Sequence, residues 1–400
     1  IDRLKLRGSY GLVGNDKIGS GFNYYYQQSY GSAGNQVYFG NPNANTGSAV
    51  YEGTLGNPDV TWEKEKKLDV GIEMTLLKEK VSLTVNYFNN NRYDILTTRS
   101  GANSSVSGVF GQSLPPVNLG KVNNHGWEAE VNYGGNIGKD FTFAVKGTYS
   151  YAKNKILFMD EPAYKYPYQS FTGTSINTQR VYTWLGFYKD ADDIAKSPKP
   201  AVTVRPGDLK YADLNGDGII DGYDTKVQGN PNVPNSTAGF QFSLKYKGFN
   251  IGVFFQSAWN FNVRGLAEAI QPFGGNFTAI HQQAWTPAQG DNAKFPLLSF
   301  IPGISDSRAY PSTFWLIPGN YIRLKTAEFG YTLPESWVKS MRVKAIRLYT
   351  NGYNLFTWTK LNKLYQLDPE IGQGTSGTSG TDRANYPPQR IFNFGINVTF

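Results

Sequence analysis

The sequence predicts an all-β protein whose antiparallel strands form part of a transmembrane β-barrel. Three observations support this fold class. The composition is rich in aromatic and turn-forming residues, with 27 Tyr, 25 Phe, 8 Trp and 44 Gly among 400 residues. Segments in which apolar and polar residues alternate recur along the whole chain. The connections between these segments are alternately short and long, as in barrels of the bacterial outer membrane.

Composition and charge narrow the functional classes. The chain has no cysteine, so disulfides and thiol chemistry are excluded, and its mean hydropathy is −0.44. No run of 18 apolar residues marks a membrane helix, but a membrane barrel remains compatible because alternating strands average out to polar. The net charge of +8 comes from scattered Lys and Arg residues, which does not favour nucleic acid as a partner. Because the chain begins at Ile1 without a Met or a signal peptide, we expect it to be a piece of a larger precursor.

The strands are predicted in order from their alternation. A first strand alternates apolar with polar residues from Leu4 to Leu12, and a first hairpin has its short turn at Leu77-Lys78-Glu79-Lys80. A second hairpin turns between Gly134 and Asp140, and a third has the two-residue turn Lys247-Gly248. The polar residues of the second hairpin, including Glu128, Glu130 and Lys146, are predicted to face the lumen.

The later strands are less regular. Strands are predicted near Tyr321–Leu333 and Val343–Leu355, with a bulge near Lys325–Ala327 because the apolar parity changes there. In all, about ten strands are expected. The long connections are predicted at 14–60, 89–123, 152–237, 258–320 and 357–390, and they are expected to be extracellular.

The last residues form the most regular strand. One face carries Phe392, Phe394, Ile396, Val398 and Phe400, while Asn393, Gly395, Asn397 and Thr399 lie on the other. In a soluble sandwich the apolar face would be a core face, whereas in an outer-membrane barrel it faces lipid. The position at the end of a series of similar strands favours the barrel, with this segment as its membrane-targeting terminal strand.

Several segments resemble one protein family. They are Leu4 to Gly11, Asn57 to Glu63, Gly207-Asp208 with Tyr211, Asp213 to Gly218, Gly229-Asn230-Pro231, Phe314-Trp315-Leu316, Tyr321 to Lys325, Gly330 to Pro334, Asn354 to Trp358, Tyr386-Pro387 and the terminal strand. Because these segments follow one another in this order and at this spacing, the chain resembles the SusC/RagA-like TonB-dependent outer-membrane transporters of the Bacteroidetes.

The resemblance implies an architecture and a function. It implies the C-terminal ten or so strands of a 22-stranded barrel, with the plug domain and the N-terminal strands absent from this chain. It also implies TonB-dependent import across the bacterial outer membrane, with a SusD-like surface lipoprotein as partner and oligosaccharides, or alternatively oligopeptides, as cargo. Contact with outer-membrane lipid is implied, and contact with TonB would be made by the missing N-terminal part.

One segment has the ligand spacing of a calcium loop. Oxygen ligands at positions 1, 3, 5, 7, 9 and 12 of such a loop would come from Asp213, Asn215, Asp217, the Ile219 carbonyl, Asp221 and Asp224. Gly218 permits the sharp turn, but Asp224 stands where a bidentate Glu is usual, so weaker coordination is expected. The alternative is a metal-free Asn/Asp/Gly turn cluster. Bound calcium would stiffen the long third loop and would not catalyse.

Two groups of aromatic residues in the long loops are candidate ligand platforms. They are Tyr24, Tyr25 and Tyr26, and the group Tyr164, Tyr166, Tyr168 and Phe171. Aromatic planes pack against the C–H faces of sugars, so these residues are predicted to contact a glycan. The alternative is that they pack within the loops or against a partner protein.

An enzyme is not predicted. The two histidines, His125 and His281, are placed at a strand start and in a loop, and no nucleophile motif is present. The alternatives to a transporter are a secreted, calcium-stabilised β-rich binding or adhesion module and an outer-membrane barrel enzyme. The enzyme would need a polar catalytic cluster at the outer rim, which the sequence does not contain.

Overall fold

The computed structural model describes residues 1–16, 24–38, 46–99, 114–264, 273, 277, 279–339, 343–365, 367–370 and 388–400. The strands are β1 (Arg3–Asn15), β2 (Tyr30–Tyr38), β3 (Thr46–Glu52), β4 (Glu63–Leu76), β5 (Val81–Thr97), β6 (Val117–Ile137), β7 (Phe141–Phe158), β8 (Gln179–Tyr182), β9 (Trp184–Phe187), β10 (Lys199–Pro200), β11 (Leu209–Tyr211), β12 (Ile219–Ile220), β13 (Thr225–Gln228), β14 (Ser236–Tyr246), β15 (Phe249–Trp259), β16 (Asn262–Arg264), β17 (Leu316–Pro318), β18 (Tyr321–Thr332), β19 (Ala345–Thr359) and β20 (Ile391–Thr399). The helices are α1 (Ala191–Lys196), α2 (Glu335–Val338) and α3 (Lys360–Tyr365). Single 3₁₀ turns lie at Pro167–Gln169, Gly222–Asp224, Ala279–Gln283, Gly290–Asn292, Gly303–Ser305 and Thr313–Trp315.

Ten of these strands form one sheet in the order β1-β4-β5-β6-β7-β14-β15-β18-β19-β20. Every pairing in this sheet is antiparallel. The predicted all-β fold and the count of ten strands are therefore confirmed. No helix in the described part of the chain has the length and hydropathy needed to cross a membrane.

The register keeps the two faces of the sheet chemically distinct. We call residues that are register partners across neighbouring strands a row. One row across β4, β5, β6 and β7 contains Ile72, Val85, Ala129 and Tyr149. The neighbouring row contains Glu73, Thr84, Glu130 and Thr148. Large apolar side chains lie exposed on the first face, including Leu6 at 71% and Phe394 at 82%. An apolar exposed face opposite a polar face is the pattern of a barrel wall between lipid and an aqueous lumen. We call these the outer face and the lumen face.

Connections differ at the two ends of the sheet. At one end, the turn after β4 places Leu77, Lys78 and Glu79 at φ between 56° and 62°, and the turn Lys247-Gly248 has φ of 45° and 88°. Positive φ at both central residues matches the twist of a two-residue hairpin. At the other end, the strands are joined by long segments. We call these the short-turn end and the long-loop end.

The strands are longer than predicted at the long-loop end. Residues 89–97 and 117–123 belong to paired strands, so the predicted loop 89–123 shortens to 98–116. His125 consequently lies inside β6 and not at a strand start. Asparagines such as Asn89 and Asn123 conceal the strand because they break the apolar alternation, yet their backbones continue the hydrogen-bonded ladder. The other long connections span 16–62, 159–235, 260–320 and 360–390, and the first of them contains the hairpin β2-β3.

Two features of the last strands agree with the sequence. Lys325 has no partner in either register, which places the predicted bulge there. The terminal strand pairs with β19 and exposes Phe392, Phe394, Ile396 and Val398 on the outer face, with Phe400 following the strand. The segment Tyr386-Pro387 lies outside the described residues.

Candidate functional site

Two long connections at the long-loop end fold against each other and share an apolar core. We call residues 159–235 and the described residues of 260–320 the lobe. The core contains large side chains from both connections, from the adjoining strand ends and from α3: Tyr182, Phe187, Leu209, Tyr211, Ile220, Phe261, Val263, Ile280, Trp285, Phe295, Ile304, Trp315, Ile317, Tyr321 and Leu361. Phe261 and Ile280 have no exposed surface. The lobe therefore has the packed interior that the barrel wall lacks.

Buried polar contacts join the two connections. Asp208 is 1% exposed, and its carboxylate accepts hydrogen bonds from the Arg205 guanidinium and from the Ser305 hydroxyl at 3.2 Å. The Ser305 hydroxyl in turn accepts the Leu209 N–H at 3.1 Å, and the Tyr211 hydroxyl donates to the Ile304 carbonyl at 2.9 Å. These contacts satisfy polar groups that burial would otherwise make costly. The Gly207-Asp208 and Tyr211 pattern thus marks the joint between the two connections.

Gly207 at this joint has a steric requirement. Its φ is +90°, and a Cβ placed on it would lie 2.4 Å from the Trp285 ring and 3.0 Å from Leu297. Only glycine combines that backbone conformation with so close an approach. The sequence shows Gly207-Asp208 but not that they join the two connections, because their contacts Trp285, Leu297 and Ser305 are distant in the chain.

The predicted calcium loop is a compact turn on the lobe. Asp213 accepts the N–H groups of Gly216 and Gly218 at 2.7 and 2.8 Å, and Asp217 accepts the N–H of Ile219 at 2.9 Å. Gly216 and Gly218 have φ of 76° and 81°. Such side-chain to backbone bonds are typical of Asx turns. The loop therefore has a well-defined fold built from its own polar residues.

Asp224 closes this loop from within the lobe. It is fully buried, and its carboxylate accepts the N–H groups of Leu214 at 2.7 Å and Asp221 at 2.9 Å. Asp221 accepts the Tyr223 N–H and caps the 3₁₀ turn that follows. Among the described residues, no group of three or more Asp, Glu or His side chains is gathered in a metal-binding arrangement. Calcium binding at this loop stays a prediction.

The second aromatic group packs largely on itself. The rings of Tyr166 and Tyr168 stack at 5.3 Å, and Tyr166 meets Tyr223 edge to face at 5.8 Å. The Tyr168 hydroxyl donates to the Tyr223 carbonyl, which ties the group to the Asp213–Asp224 loop. The rings of Tyr164 and Phe171 each lie within 6 Å of the Arg180 guanidinium. Most ring faces in this group are therefore covered by neighbours.

The first aromatic group is more open. Tyr24 and Tyr26 are 59% and 51% exposed, and their rings meet edge to face at 6.0 Å, while Tyr25 is half-buried. The segment is held by backbone bonds from Asn57 to Tyr25 and from Gln27 to Tyr24. These two tyrosines present free faces at the long-loop end.

A charge cluster on the lumen face was not found from the sequence. Arg323 is 1% exposed and contacts Asp368 at 2.5 Å and Glu370 at 2.6 Å, and its Nε donates to the Thr357 hydroxyl at 2.9 Å. Lys325 also contacts Glu370. The cluster holds the segment that follows α3 against strands β18 and β19. It is formed across about 45 residues of chain, so no local pattern reveals it.

Ionisable groups in the lobe are shifted by burial and by pairing. Burial raises the pKa of Tyr182 and of Tyr188 to about 12 and raises the pKa of Tyr211 further. The hydrogen bond from Lys210 to Asp193, 2.6 Å long, lowers the pKa of that carboxyl. Tyr182, Tyr188 and Tyr211 thus belong to the buried interior of the lobe.

The remaining candidates for chemistry have structural partners. His125 contacts Asn123, and Glu128 accepts from Ser150, while Glu130 pairs with Lys146 at 3.0 Å across the lumen face. His281, predicted in a loop, is buried in a 3₁₀ turn between the Phe277 and Phe295 rings. A charged lumen wall explains the carboxylates without acid–base catalysis.

The chain is similar to known proteins along most of its length. Residues 1–355 match the family described as TonB dependent receptor-like, β-barrel. The chain is 29% identical to TonB-dependent receptor P3 of Formosa agariphila and 22% identical to TonB-dependent receptor SusC of Bacteroides thetaiotaomicron, in each case over 100% of the chain. These alignments cover 40% and 38% of the two relatives, so the chain spans about two fifths of their length.

A solved structure has the same fold. The RagAB peptide importer in its open-open state superposes with a TM-score of 0.72 at 20% identity, over 99% of this chain and 40% of that one. The names of these proteins describe receptors and transporters, and none describes an enzyme, as the sequence predicted.

Proposed function

The chain belongs to the TonB dependent receptor-like β-barrel family of the bacterial outer membrane, and from this premise we propose that it forms part of a SusC-type channel that imports oligomeric nutrients. The observation that carries the proposal is the ten-stranded sheet with an apolar outer face, a charged lumen face and a folded lobe at one end. A sheet with two chemically distinct faces separates lipid from an aqueous path. In this proposal, TonB supplies the energy through the part of the protein that precedes this chain.

The proposal includes an orientation and a partner. Short turns lie on the periplasmic side of outer-membrane barrels, so the lobe and the other long connections would be extracellular. A SusD-like surface lipoprotein would cover this end, as the resemblance to SusC implies. The lobe supports this arrangement because its core gives the partner a fixed surface, whereas unfolded loops would have to be ordered on binding.

The orientation can be tested with single cysteines, since this chain has none of its own. Lys196→Cys lies in the lobe and Lys139→Cys lies in the turn between β6 and β7 at the short-turn end, and both side chains are exposed. In intact cells, a membrane-impermeant maleimide is expected to label Lys196→Cys and to spare Lys139→Cys until the outer membrane is opened. Labelling with the reverse preference would contradict the orientation.

We propose oligosaccharides as the cargo, with Tyr24 and Tyr26 as a contact. The support is their open ring faces, because a sugar can pack its C–H face on such a plane. Tyr166 and Tyr168 are poorer candidates because they stack on each other. Oligopeptides are the alternative cargo.

The cargo is tested on the intact transporter purified with its partner. Mass spectrometry of the co-purified ligand would identify a glycan or a peptide directly, and a peptide would refute the glycan proposal. Replacing Tyr24 and Tyr26 by Ala is expected to weaken glycan binding by about threefold to tenfold, from the loss of aromatic contacts. Tyr246→Ala, an exposed tyrosine at the short-turn end, is the matched control and should leave affinity unchanged.

A further inference from the structure

On the outer face, the residues change from apolar and aromatic to polar and basic towards the long-loop end. A row containing Val70, Tyr87, Trp127 and Tyr151 crosses strands β4 to β7. The next row on the same face contains Leu68, Asn89, His125 and Lys153, and the one after it contains Lys66, Asn91, Asn123 and Lys155. An aromatic row at the edge of an apolar band marks the interface between hydrocarbon and headgroups. The two polar rows therefore lie at headgroup level.

These polar rows are held in place by their own hydrogen bonds. The Asn123 amide donates to Asn89 at 2.6 Å and to Asn91 at 2.9 Å. The Asn123 side-chain oxygen is 2.8 Å from Nδ1 of His125. The centre of the patch is thus a fixed ladder of amide and imidazole groups across β5 and β6. Such a ladder costs little ordering entropy when a polar ligand binds beside it.

Lysines flank this ladder on both sides. Lys66, Lys153 and Lys155 are all exposed, and the two rows contain no acidic residue. The Lys66 ammonium group lies 5.6 Å from the centre of the Tyr93 ring. Lys64 contributes less charge because Asp94 pairs with it at 2.9 Å. We call Lys66, Lys153 and Lys155 the outer lysine patch.

The spacing of the patch fits a headgroup with two separated anionic groups. Lys66 on β4 and Lys155 on β7 share one row, three strand spacings or roughly 14 Å apart. Lys153 and Lys155 are two residues apart on one strand, which is roughly 7 Å. One phosphate could meet Lys66, another could meet Lys153 and Lys155, and the amide ladder would lie under the sugar or glycerol between them. Ammonium groups bind phosphate as compact point charges.

We propose that the outer lysine patch binds the phosphate groups of an outer-leaflet lipid, of the kind that carries two phosphates on a disaccharide headgroup. The patch continues the lipid-facing side of the same four strands, so the molecule that covers the row below it is lipid. A protein partner would have to displace that lipid, whereas a phospholipid or glycolipid places its headgroup there without further rearrangement. Basic patches beside membrane-spanning segments attract anionic lipid in this way.

This inference rests on the proposed orientation, in which the long-loop end is outside. It does not depend on the cargo. Maleimide labelling in cells tests the orientation, whereas the binding measurement below uses purified protein in detergent. Failure of one is therefore distinguishable from failure of the other.

The test is lipid binding to the intact transporter by native mass spectrometry in detergent. The probes are bisphosphorylated lipid A, the same lipid with both phosphates removed, and inorganic phosphate. We expect the wild type to bind the bisphosphorylated lipid at least about tenfold more tightly than the dephosphorylated one, because several lysines act together. The triple variant Lys66→Gln, Lys153→Gln, Lys155→Gln is expected to lose this preference.

The controls separate the patch from net charge and from folding. The variant Lys189→Gln, Lys196→Gln, Lys226→Gln removes three exposed lysines from the lobe and should keep the preference. Unheated gel mobility should show that both triple variants are folded. Equal binding by the patch variant and the wild type would overturn the proposal, as would equal binding of the two lipids. Displacement of the lipid by millimolar inorganic phosphate would instead indicate a free-phosphate site, and would also overturn it.

Discussion

The barrel wall and the lobe place their apolar side chains in opposite directions. On the wall, Leu6 and Phe394 point outward and are among the most exposed large apolar residues in the described part of the chain, while the lumen face carries pairs such as Lys146 with Glu130. In the lobe, Phe261 and Ile280 are completely buried. The same residue types thus serve two different solvents within 400 residues.

The difference shows what drives each region to fold. The lobe is stabilised by removing apolar surface from water, as in a soluble domain. The wall gains nothing comparable by turning apolar residues inward, since its outer face contacts hydrocarbon and its backbone groups are satisfied by the neighbouring strands. Four experiments test this difference between the wall and the lobe.

The largest effect is expected from truncating the lobe core. Phe261→Ala should destabilise the lobe by about 3–5 kcal/mol, because it leaves a cavity among buried aromatic side chains. Phe240→Ala is the matched change on the outer face, where the ring is 46% exposed and detergent or lipid can fill the space. Limited proteolysis during a thermal ramp, read by intact mass, measures both. Equal cleavage of the two variants would argue against a separate lobe core.

The next contrast is between neighbouring residues on opposite faces of β5. Leu83→Arg places a charge on the outer face, two rows below the aromatic row of Tyr87, and should cost about 2–4 kcal/mol near the middle of the bilayer. Thr84→Arg faces the lumen between Glu73 and Glu130 and should cost less than about 1 kcal/mol. Denaturant unfolding in lipid vesicles gives both values. The assignment of faces is refuted if Thr84→Arg is the more damaging change.

A smaller effect is expected from calcium, and only in the lobe. If the Asp213–Asp224 loop binds calcium, a tenfold excess over the dissociation constant should add about 1.4 kcal/mol to lobe stability. Asp217→Asn keeps an acceptor for the Ile219 N–H but removes the charge, so it should abolish this gain. Asp192→Asn, an exposed residue on α1, is the control. Terbium luminescence and lobe melting provide the readouts, and a wild type indifferent to calcium would leave the metal-free turn as the correct interpretation.

The smallest effect is on lobe stability in alkali, and none is expected at neutral pH. The pKa values of Tyr182 and Tyr188 are raised from 10.0 to about 12 by burial, so the folded lobe holds these protons more tightly than the unfolded chain. The stability they contribute is complete below pH 10 and is lost as the pH rises from about 10 to about 12. Tyr182→Phe removes one titrating group and should move lobe unfolding to higher pH. Tyrosinate absorbance and protease cleavage monitor the transition, and an unchanged midpoint would count against this linkage.

Part of the lobe could be predicted from the sequence and part could not. The Asp213–Asp224 loop was found because its polar groups bond within a dozen residues. The contact of Asp208 with Ser305 in the lobe and that of Arg323 with Asp368 on the lumen face were missed, since the partners are 97 and 45 residues apart. The aromatic residues from Tyr164 to Phe171 were found as a group, but only the structure shows that Tyr166 and Tyr168 cover each other.

From the sequence alone, the ten strands of the wall and the side chains on each of their faces could be predicted, because alternation has a period of two residues and short turns join neighbouring strands. The three-dimensional structure was needed to show how far β5 and β6 continue through their asparagines, that two long connections share one core, and that lysines of β4 and β7 lie in one row of the outer face. These features depend on contacts between residues that are distant in the chain, and a local sequence pattern carries no information about such partners.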